Sequence, residues 1–357
     1  MELVGLDANF QPVGYINYLN LQWKRRYYEC GSWTAQILEK DYDPRIVYVY
    51  SPDRPEFGLV QKMTSQKNIK GRFVLLSGLF LESIFNRQIV YPHIEGTFTL
   101  PNLAALYLTD EWYMPDLYRM TADPNNPKNT VSVKWERGRL GDYIYDTLKT
   151  LEYTHSVLFD PNTLKFTYRI WRGVDRTQSQ SANAFVTFSE DSCYVEDFEY
   201  TEDSSNFKNV AMILYGDQPS RYDVYTEGWE KDGRRWLLMN CGADDGMESM
   251  GQQADEELAK YPWIREAQIS VIQNGLFYRT DYDLGDKCDI VHHGYQKAFE
   301  ARISGIDEVF KKGQHTVKLI FGEQSQTTYE KMRHYVDTQR KALGLTLGLN
   351  NGGSWST

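Results

Sequence analysis

Most of the chain consists of short segments in which polar and apolar residues alternate, separated by clusters of turn-forming residues. In GSWTAQIL, residues 31–38, the alternation places Trp33, Ala35 and Ile37 on one face, which is typical of a half-buried strand. Aromatic side chains, which make up 14% of the residues and include 26 Tyr and 9 Trp, also favour strands. The pattern therefore predicts a mainly β fold with some helix.

The spacing of apolar residues changes once in the first hundred residues. In SGLFLESIFNRQIVY, residues 77–91, the apolar residues follow a helical period, with Ser77 available as a cap and Glu82 in an early turn. The residues that define this period are Leu79, Ile84, Phe85 and Ile89. Residues 1–95 are therefore predicted to form a small antiparallel barrel with one helix packed on it.

The apolar periods and turn-forming residues divide the rest of the chain into three predicted segments. Residues 96–203 contain two helical patterns, in LPNLAALYLTDEWY and from Leu140 to Leu151, followed by a hairpin that turns at DPNT. This segment is predicted to be an accessory α+β domain. Residues 204–325 repeat the layout of strands with one helix, DEELAKYPW, and predict a second barrel, although no residue-level repeat links the two. Residues 326–357 are predicted to be a C-terminal helix and a flexible Gly-rich tail.

Charge and cysteine content narrow the class of protein. The net charge of −10 and the pI of about 5.2 argue against stable DNA binding, because affinity for the phosphate backbone comes mainly from Lys and Arg. The four cysteines are far apart and form no C-x-x-C pair, so we expect reduced thiols and no disulfide framework. We expect no signal peptide and no membrane segment, and hence synthesis in the host cytoplasm.

A group of histidines raises the question of a metal site. Cys288, His292, His293 and His315 lie within 28 residues of one another. Adjacent residues of a strand point to opposite faces, so His292 and His293 cannot reach one ion from a regular strand. The segment HHGYQ is instead typical of a turn between two strands. We therefore predict no metal at these residues.

Other chemistry is not supported by the motifs. The acidic segment SEDSCYVEDFEYTEDSS lacks the spacing of a calcium loop. The chain contains no G-x-S-x-G, H-E-x-x-H, Walker or G-x-G-x-x-G motif. The sequence thus predicts a binding or structural protein that is not an enzyme and needs no cofactor.

Several segments, in order along nearly the whole chain, resemble one known family. The opening MELVGLDANFQPVGYINYLNLQWKRRYYECGSWTAQIL, the segments SGLFLESIFNRQIV and RGVDRTQSQSANAFVTFS, and the final ARISGIDEVFKKGQHTVKLIFGE are similar to tail-tip (baseplate hub) proteins of long-tailed phages and prophages. Each motif is short, and their common order makes the resemblance specific. At Cys30–Gly31–Ser32–Trp33 the chain departs from the acidic–aromatic pair that is usual in that family.

The resemblance implies a fold with two tail-tube-like antiparallel β-barrels and accessory domains, and a homotrimer. Three chains with two equivalent barrels each would form a ring that adapts a sixfold tube to a threefold tip. The implied partners are the distal tail protein ring, the C-terminus of the tape-measure protein, and receptor-binding or fibre proteins. The implied location is the tail tip of the virion, where the protein would contribute to host attachment.

Two sets of residues are candidates for functional surfaces. The first combines basic and aromatic groups suited to an interface and consists of Arg25, Arg26, Tyr27, Tyr28 and Trp33. The alternative is that Tyr28 and Trp33 are core residues and the arginines are solvated. The second set consists of acidic residues that could line a DNA channel, namely Asp281, Asp283, Asp286, Asp307 and Glu308. Alternatively, the acidity serves only solubility.

A different class of function remains open from the residues alone. Exposed Trp and Tyr side chains could serve as platforms for sugars in a carbohydrate-binding or carbohydrate-active β protein of the adsorption apparatus. The two classes differ in oligomeric mass, because a hub forms rings and a lectin-like protein need not.

Overall fold

A computed structural model describes residues 1–69, 71–215, 220–226, 230, 233–241, 246–295, 297–311 and 313–322. In chain order the strands are β1 (Val4–Leu6), β2 (Pro12–Tyr15), β3 (Tyr18–Arg26), β4 (Ser32–Leu38), β5 (Tyr48–Tyr50), β6 (Phe57–Leu59), β7 (Lys62–Asn68), β8 (Gly71–Leu79), β9 (Ile94–Thr99), β10 (Met120–Ala122), β11 (Thr130–Trp135), β12 (Thr154–Asp160), β13 (Lys165–Trp171), β14 (Thr187–Ser189), β15 (Val195–Asp203), β16 (Val210–Tyr215), β17 (Ser220–Tyr225), β18 (Trp236–Cys241), β19 (Ile264–Val271), β20 (Lys287–His292), β21 (Lys297–Lys311) and β22 (Gln314–Gly322). The α-helices are α1 (Leu100–Thr109), α2 (Leu140–Thr150) and α3 (Met247–Leu258), and short 3-10 helices lie at Glu39–Asp41, Leu81–Arg87, Asp116–Tyr118 and His293–Tyr295. The mainly β fold class predicted from the sequence is confirmed, and within these residues no helix has the length and apolar composition needed to cross a bilayer.

The chain folds into two compact units. The first unit contains Met1–Glu199 and Ala267–Gly322, and the described part of the second lies within Tyr200–Glu266. The chain leaves the first unit within β15 and returns to it within β19. The boundaries predicted from the sequence, and the number of barrels, stay predictions. The predicted C-terminal helix and tail at 326–357 lie outside the described residues.

The largest sheet joins the two ends of the described chain. Its strand order is β15-β19-β22-β21-β3-β4-β8-β7, and β20, which also pairs with β14, adds to β21. β21 pairs antiparallel with both β22 and β3, so that Glu308 lies opposite Val317 on one side and Trp23 on the other. Strands β3 and β21, which lie in different predicted barrel domains, are therefore neighbours in one sheet.

Alternation in β3 and β4 determines which side chains enter the core of this sheet. Trp33, Ala35 and Ile37 are all buried in β4, as the sequence predicted, and they pack with Leu21 and Trp23 of β3. The same period of two places Arg25 on the buried face of β3.

A second cluster of the first unit, which we call the aromatic core, is formed largely by rings. Its largest side chains include Phe57, Phe85, Tyr107, Phe166 and Tyr168, contributed by β6, a 3-10 helix, α1 and β13. α1 and α2 lie where their apolar periods predicted them, and the hairpin of β12 and β13 turns at DPNT as expected.

The helix predicted for residues 77–91 is wrong in type and in its start. Residues up to Leu79 belong to β8, where Ser77 pairs with both Thr34 of β4 and Lys62 of β7. The 3-10 helix Leu81–Arg87 follows, and with only seven residues it is too short to be stable as an isolated α-helix. Pairing on both sides of β8 therefore outweighs the local helical period.

The second unit contains a three-stranded sheet covered on one face by a helix. β16 lies between β17, which is antiparallel to it, and β18, which is parallel. Ala211 and Ile213 of β16 pack against Met250, Ala254 and Leu258 of α3. The helix predicted at DEELAKYPW begins earlier than expected, at Met247, and ends at Leu258.

Candidate interface and channel residues

Arg25 is held inside the first unit by partners that are distant in sequence. Its guanidinium bonds to the carboxylate of Glu56, to that of Asp283, and to the Tyr278 hydroxyl at 2.7 Å. Only 4% of the Arg25 side chain is exposed. The indole N–H of Trp23 donates to the same Glu56 carboxylate at 3.1 Å. The Arg25 guanidinium is therefore held by partners within the first unit and is not solvated.

Glu308 is fully buried in β21 and is also paired. Arg54 donates two hydrogen bonds to its carboxylate, one of them at 2.8 Å, and His315 Nε2 lies 3.0 Å from Oε2. Burial alone would raise the pKa of Glu308, but the bonds from Arg54 and His315 outweigh it and lower the pKa to about 2. The carboxylate is therefore ionised at any physiological pH.

We call the group formed by Arg25, Arg54, Glu56, Asp283 and Glu308 the ionic seam. Its two arginines and one of its carboxylates, that of Glu56, come from the first 56 residues, and its other two carboxylates come from residues 283–308. The guanidinium of Arg54 also lies over the Tyr278 ring, 5.6 Å from its centroid. The seam thus links the N-terminal strands to β21 and the segment before β20.

The remaining candidate acidic residues differ in exposure. Asp286 is buried, pairs with Arg176 at 2.7 Å, and accepts the backbone N–H of Val174. Asp307 pairs with Arg26 at 2.6 Å and is partly exposed, as is Asp281. Glu308 and Asp286 therefore face protein in the single chain, whereas Asp281, Asp283 and Asp307 retain access to solvent. The channel itself stays a prediction.

The candidate interface residues differ in burial. Tyr27 is buried and donates to the Glu152 carbonyl at 2.8 Å, and Trp33 is buried and donates to the Leu59 carbonyl at 3.1 Å. Both are core residues of the first unit, which for Trp33 is the alternative considered above. Arg26 and Tyr28 remain partly exposed. An interface at this segment stays a prediction, and only those two residues offer surface for it.

The histidines near Cys288 do not converge. His292 Nδ1 lies 2.9 Å from Glu190, the exposed His293 lies 3.7 Å from Asp191, and His315 stacks on Phe310 beside Glu308. Among the residues that the structure describes, no three His, Cys, Asp or Glu side chains form a group that could hold a metal ion. The turn predicted at HHGYQ lies between β20 and β21 but begins one residue later than expected, because His292 is the last residue of β20 and pairs with Lys297.

The aromatic core also contains two buried titratable groups, Glu82, which the sequence predicted only as an acidic residue of an early helical turn, and His155, which no sequence pattern singled out. Glu82 is buried, and burial raises its pKa to about 7 although its carboxylate accepts the Val157 N–H at 2.8 Å. His155 lies against Tyr145, with ring centroids 4.4 Å apart, and burial lowers its pKa to about 3. The Glu82 carboxyl is therefore protonated and neutral below about pH 7, and the His155 imidazole is deprotonated and neutral above about pH 3.

Comparison with known proteins shows to which family the chain belongs. Residues 108–323, more than half of the chain, match the family described as Siphovirus ReqiPepy6 Gp37-like protein. The chain belongs to this family. A search of curated proteins found no match.

Three solved structures share the fold of this family member. A tail protein from Neisseria meningitidis MC58 has a TM-score of 0.61 and 13% identity, covering 90% of this chain and 97% of that one. The 43 kDa tail protein of prophage MuSo2 from Shewanella oneidensis has a TM-score of 0.60 and 13% identity, and the match covers 90% of this chain and 98% of that one. Prophage tail protein gp18 from Listeria monocytogenes EGD-e has a TM-score of 0.54 and 12% identity, and the match covers 95% of this chain and 100% of that one. The chain therefore has the fold of phage tail proteins over nearly its whole length.

Proposed function

We propose that this chain is a structural component of a phage tail tip, in which three copies form a hub ring that closes the tail tube. The observation that carries the proposal is the shared fold with tail proteins of nearly equal extent, together with membership of a siphovirus family. Three chains with two related barrels each would match a sixfold tube on one side and a threefold tip on the other.

The chemistry of the first unit supports a structural role. Its buried charges are used within the fold, where Arg25 and Arg54 pair with carboxylates of strands and loops that are distant in sequence. Such pairs connect parts of the first unit that are distant in sequence. The proposed partners are the distal tail ring, the C-terminus of the tape-measure protein and receptor-binding or fibre proteins, and no catalytic activity is proposed.

The acidic balance of the chain fits a ring through which DNA passes. A channel lined by Lys and Arg would bind phosphates and slow translocation, whereas the net charge of −10 permits a neutral or negative lumen. Asp281, Asp283 and Asp307, the partly exposed members of the candidate set, are the residues proposed for that lining.

Location in the particle tests the proposal directly. Antibody fragments raised against the purified chain and coupled to gold should label one end of the tail, the end distal to the capsid. Labelling along the tube or on the capsid would contradict the hub assignment. Native mass spectrometry of the tip complex should give three copies, and the purified protein should not shift duplex DNA in a gel at physiological salt.

A carbohydrate-binding role is the second candidate, and one surface favours it. Ile89, Tyr91 and Trp112 are 58%, 63% and 61% exposed, and the Trp112 indole N–H donates to the Ile89 carbonyl at 3.4 Å. Exposed rings of this kind can stack on sugars. Binding to a glycan array that is lost in Trp112→Ala, and kept in the control Tyr15→Ala, would support this role.

A further inference from the structure

The large sheet of the first unit ends in two edge strands of opposite charge. β7 is the last strand at one end of the sheet and β15 is the last at the other. Each therefore has one side along which its backbone pairs with no strand among the described residues. An edge strand presents unpaired N–H and C=O groups and is a template for another strand.

β7 is a basic edge. Lys62 and Lys67 are exposed, and neither is ion-paired among the described residues. Lys67 lies opposite Arg72 of β8, which is also exposed and reaches Glu39 only at 3.4 Å. This local positive charge belongs to a chain whose net charge is −10.

The face of the sheet at β7 is also incompletely covered. Met63 lies opposite Leu76, which is buried in the core between the large sheet and its neighbours, yet Met63 is 51% exposed. Ser65, on the same face and opposite the buried Val74, is exposed too. Met63 on the core-facing side of β7 is thus left accessible at the edge of the sheet, where the side chains of an added strand would pack beside it.

β15 is an acidic edge. In the part that belongs to the first unit, Glu196, Asp197 and Glu199 are exposed. Within the described part of the chain none of these three carboxylates is in an ion pair, unlike Glu190 beside them, which contacts His292. Successive residues of a strand point to opposite faces, so Glu196 and Asp197 place negative charge on both faces of the edge.

We propose that β7 of one copy lies along β15 of a second copy, so that the sheet continues from chain to chain. This inference rests on the proposed function, because the pairing of β7 with β15 would be a contact between neighbouring copies in the proposed hub ring. A second copy is the occupant that the charges favour, because each chain carries one basic and one acidic edge of the same sheet. Lys62 and Lys67 would face Glu196, Asp197 and Glu199 across the contact.

The contact has a defined symmetry. It joins different surfaces of the two copies, which makes it heterologous, and such contacts close into a ring when the rotation between copies divides a full turn. Continued pairing would also satisfy the backbone groups of both edges. Because the charged side chains stand at an exposed edge, salt should weaken the contact.

Charge reversal with rescue tests the contact. Lys62→Glu with Lys67→Glu, and separately Glu196→Lys with Asp197→Lys, should each weaken self-association by roughly 100-fold in sedimentation velocity at low salt. An equimolar mixture of the two variants should recover association in heterodimers, since the reversed β15 of one then faces the reversed β7 of the other. The matched control Lys128→Glu, at an exposed lysine of another region, should associate like the unchanged chain. Circular dichroism and thermal unfolding verify that each variant is folded.

Covalent cross-linking supplies a second measurement. A carbodiimide joins an amine to a carboxylate only when they touch, so a mixture of light and heavy isotope-labelled chains should give mixed peptides that link Lys62 or Lys67 to Glu196, Asp197 or Glu199. Three outcomes would overturn the contact. Self-association could be unaffected by either charge reversal, the cross-links could form only within single chains, or the unchanged chain could stay monomeric at low salt. A ring that forms without this contact leaves the hub proposal intact, whereas gold labelling away from the tail tip refutes the hub without touching the edge pairing.

Discussion

Glu308 in the ionic seam and Glu82 in the aromatic core are both buried glutamates of the first unit, yet their protonation differs. Glu308 receives hydrogen bonds from Arg54 and His315, and its pKa falls to about 2. The Glu82 carboxylate accepts the backbone N–H of Val157, and burial raises its pKa to about 7. Burial raises both pKa values, so the difference comes from the partners.

The contrast between the two glutamates shows how the stability of the ionic seam and that of the aromatic core depend on their buried polar groups. The seam consists of paired charged side chains, and removal of Glu308 would leave the Arg54 guanidinium buried without its carboxylate partner. The aromatic core tolerates Glu82 because the carboxyl can hold its proton, and His155 because the imidazole can lose its own. The two regions should therefore respond in opposite ways to mutation and to pH.

The largest effect is expected from removal of a charge in the seam. Glu308→Ala should lower the free energy of unfolding by about 3–5 kcal/mol at neutral pH, because Arg54 stays buried without its carboxylate. Urea unfolding measures this loss. The double variant Arg54→Ala with Glu308→Ala should lose less than the sum of the two single variants, and a fully additive result would contradict coupling within the seam.

Opposite pH slopes should distinguish the two glutamates. The folded-state pKa of Glu82 is raised from 4.5 to about 7, so its contribution to stability is present below pH 4.5 and is lost as the pH rises through 7. Glu82→Gln should therefore be more stable than the unchanged chain by up to about 3 kcal/mol at pH 9 and nearly equal to it at pH 4.5. For Glu308 the pKa is depressed, so its contribution is present above pH 4.5 and is lost as the pH falls toward 2.

Unfolding curves at several pH values measure both slopes. Glu111→Gln, at an exposed glutamate, is the matched control and should leave the pH profile unchanged. A Glu82→Gln variant whose stability follows the unchanged chain at every pH would show that Glu82 does not titrate differently in the folded state.

A smaller effect is expected from the hydroxyl pair of the aromatic core. Tyr107 and Tyr168 share a buried hydrogen bond of 2.9 Å between their hydroxyls. Tyr107→Phe should cost about 1–2 kcal/mol because the Tyr168 hydroxyl then lacks this partner, and Tyr107→Phe with Tyr168→Phe should cost little more. Thermal unfolding by calorimetry resolves the difference, and a double variant twice as destabilised as the single would refute the pairing argument.

The smallest effect is expected at an exposed pair with the same chemistry as the seam. Arg119 lies 2.7 Å from Asp116, with side chains 68% and 82% exposed. Asp116→Ala should change stability by less than about 1 kcal/mol, because water and salt screen the pair. A loss comparable to that of Glu308→Ala would show that burial is not what distinguishes the seam.

Features that depend on near neighbours in the sequence were predictable. The alternation in β4, the helical periods of α1 and α2, and the turn at DPNT each concern residues a few positions apart. The local pattern failed at Ser77–Leu79, where pairing with two other strands decides the conformation. It also did not identify Arg54, Glu56 or Tyr278 as partners of distant charges.

The sequence by itself determined the strand-rich class, the short elements, the acidity and the resemblance to a phage tail-tip family. Only the tertiary structure decided that β3 and β21, about 280 residues apart, are neighbours in one sheet and bring Arg25 and Arg54 to Asp283 and Glu308. It also decided that Glu308 is ionised and Glu82 is not at acidic pH. The reason is physical: periodicity reports which face of a strand is buried, whereas the partner and the pKa of a buried charge depend on atoms that long-range pairing places beside it.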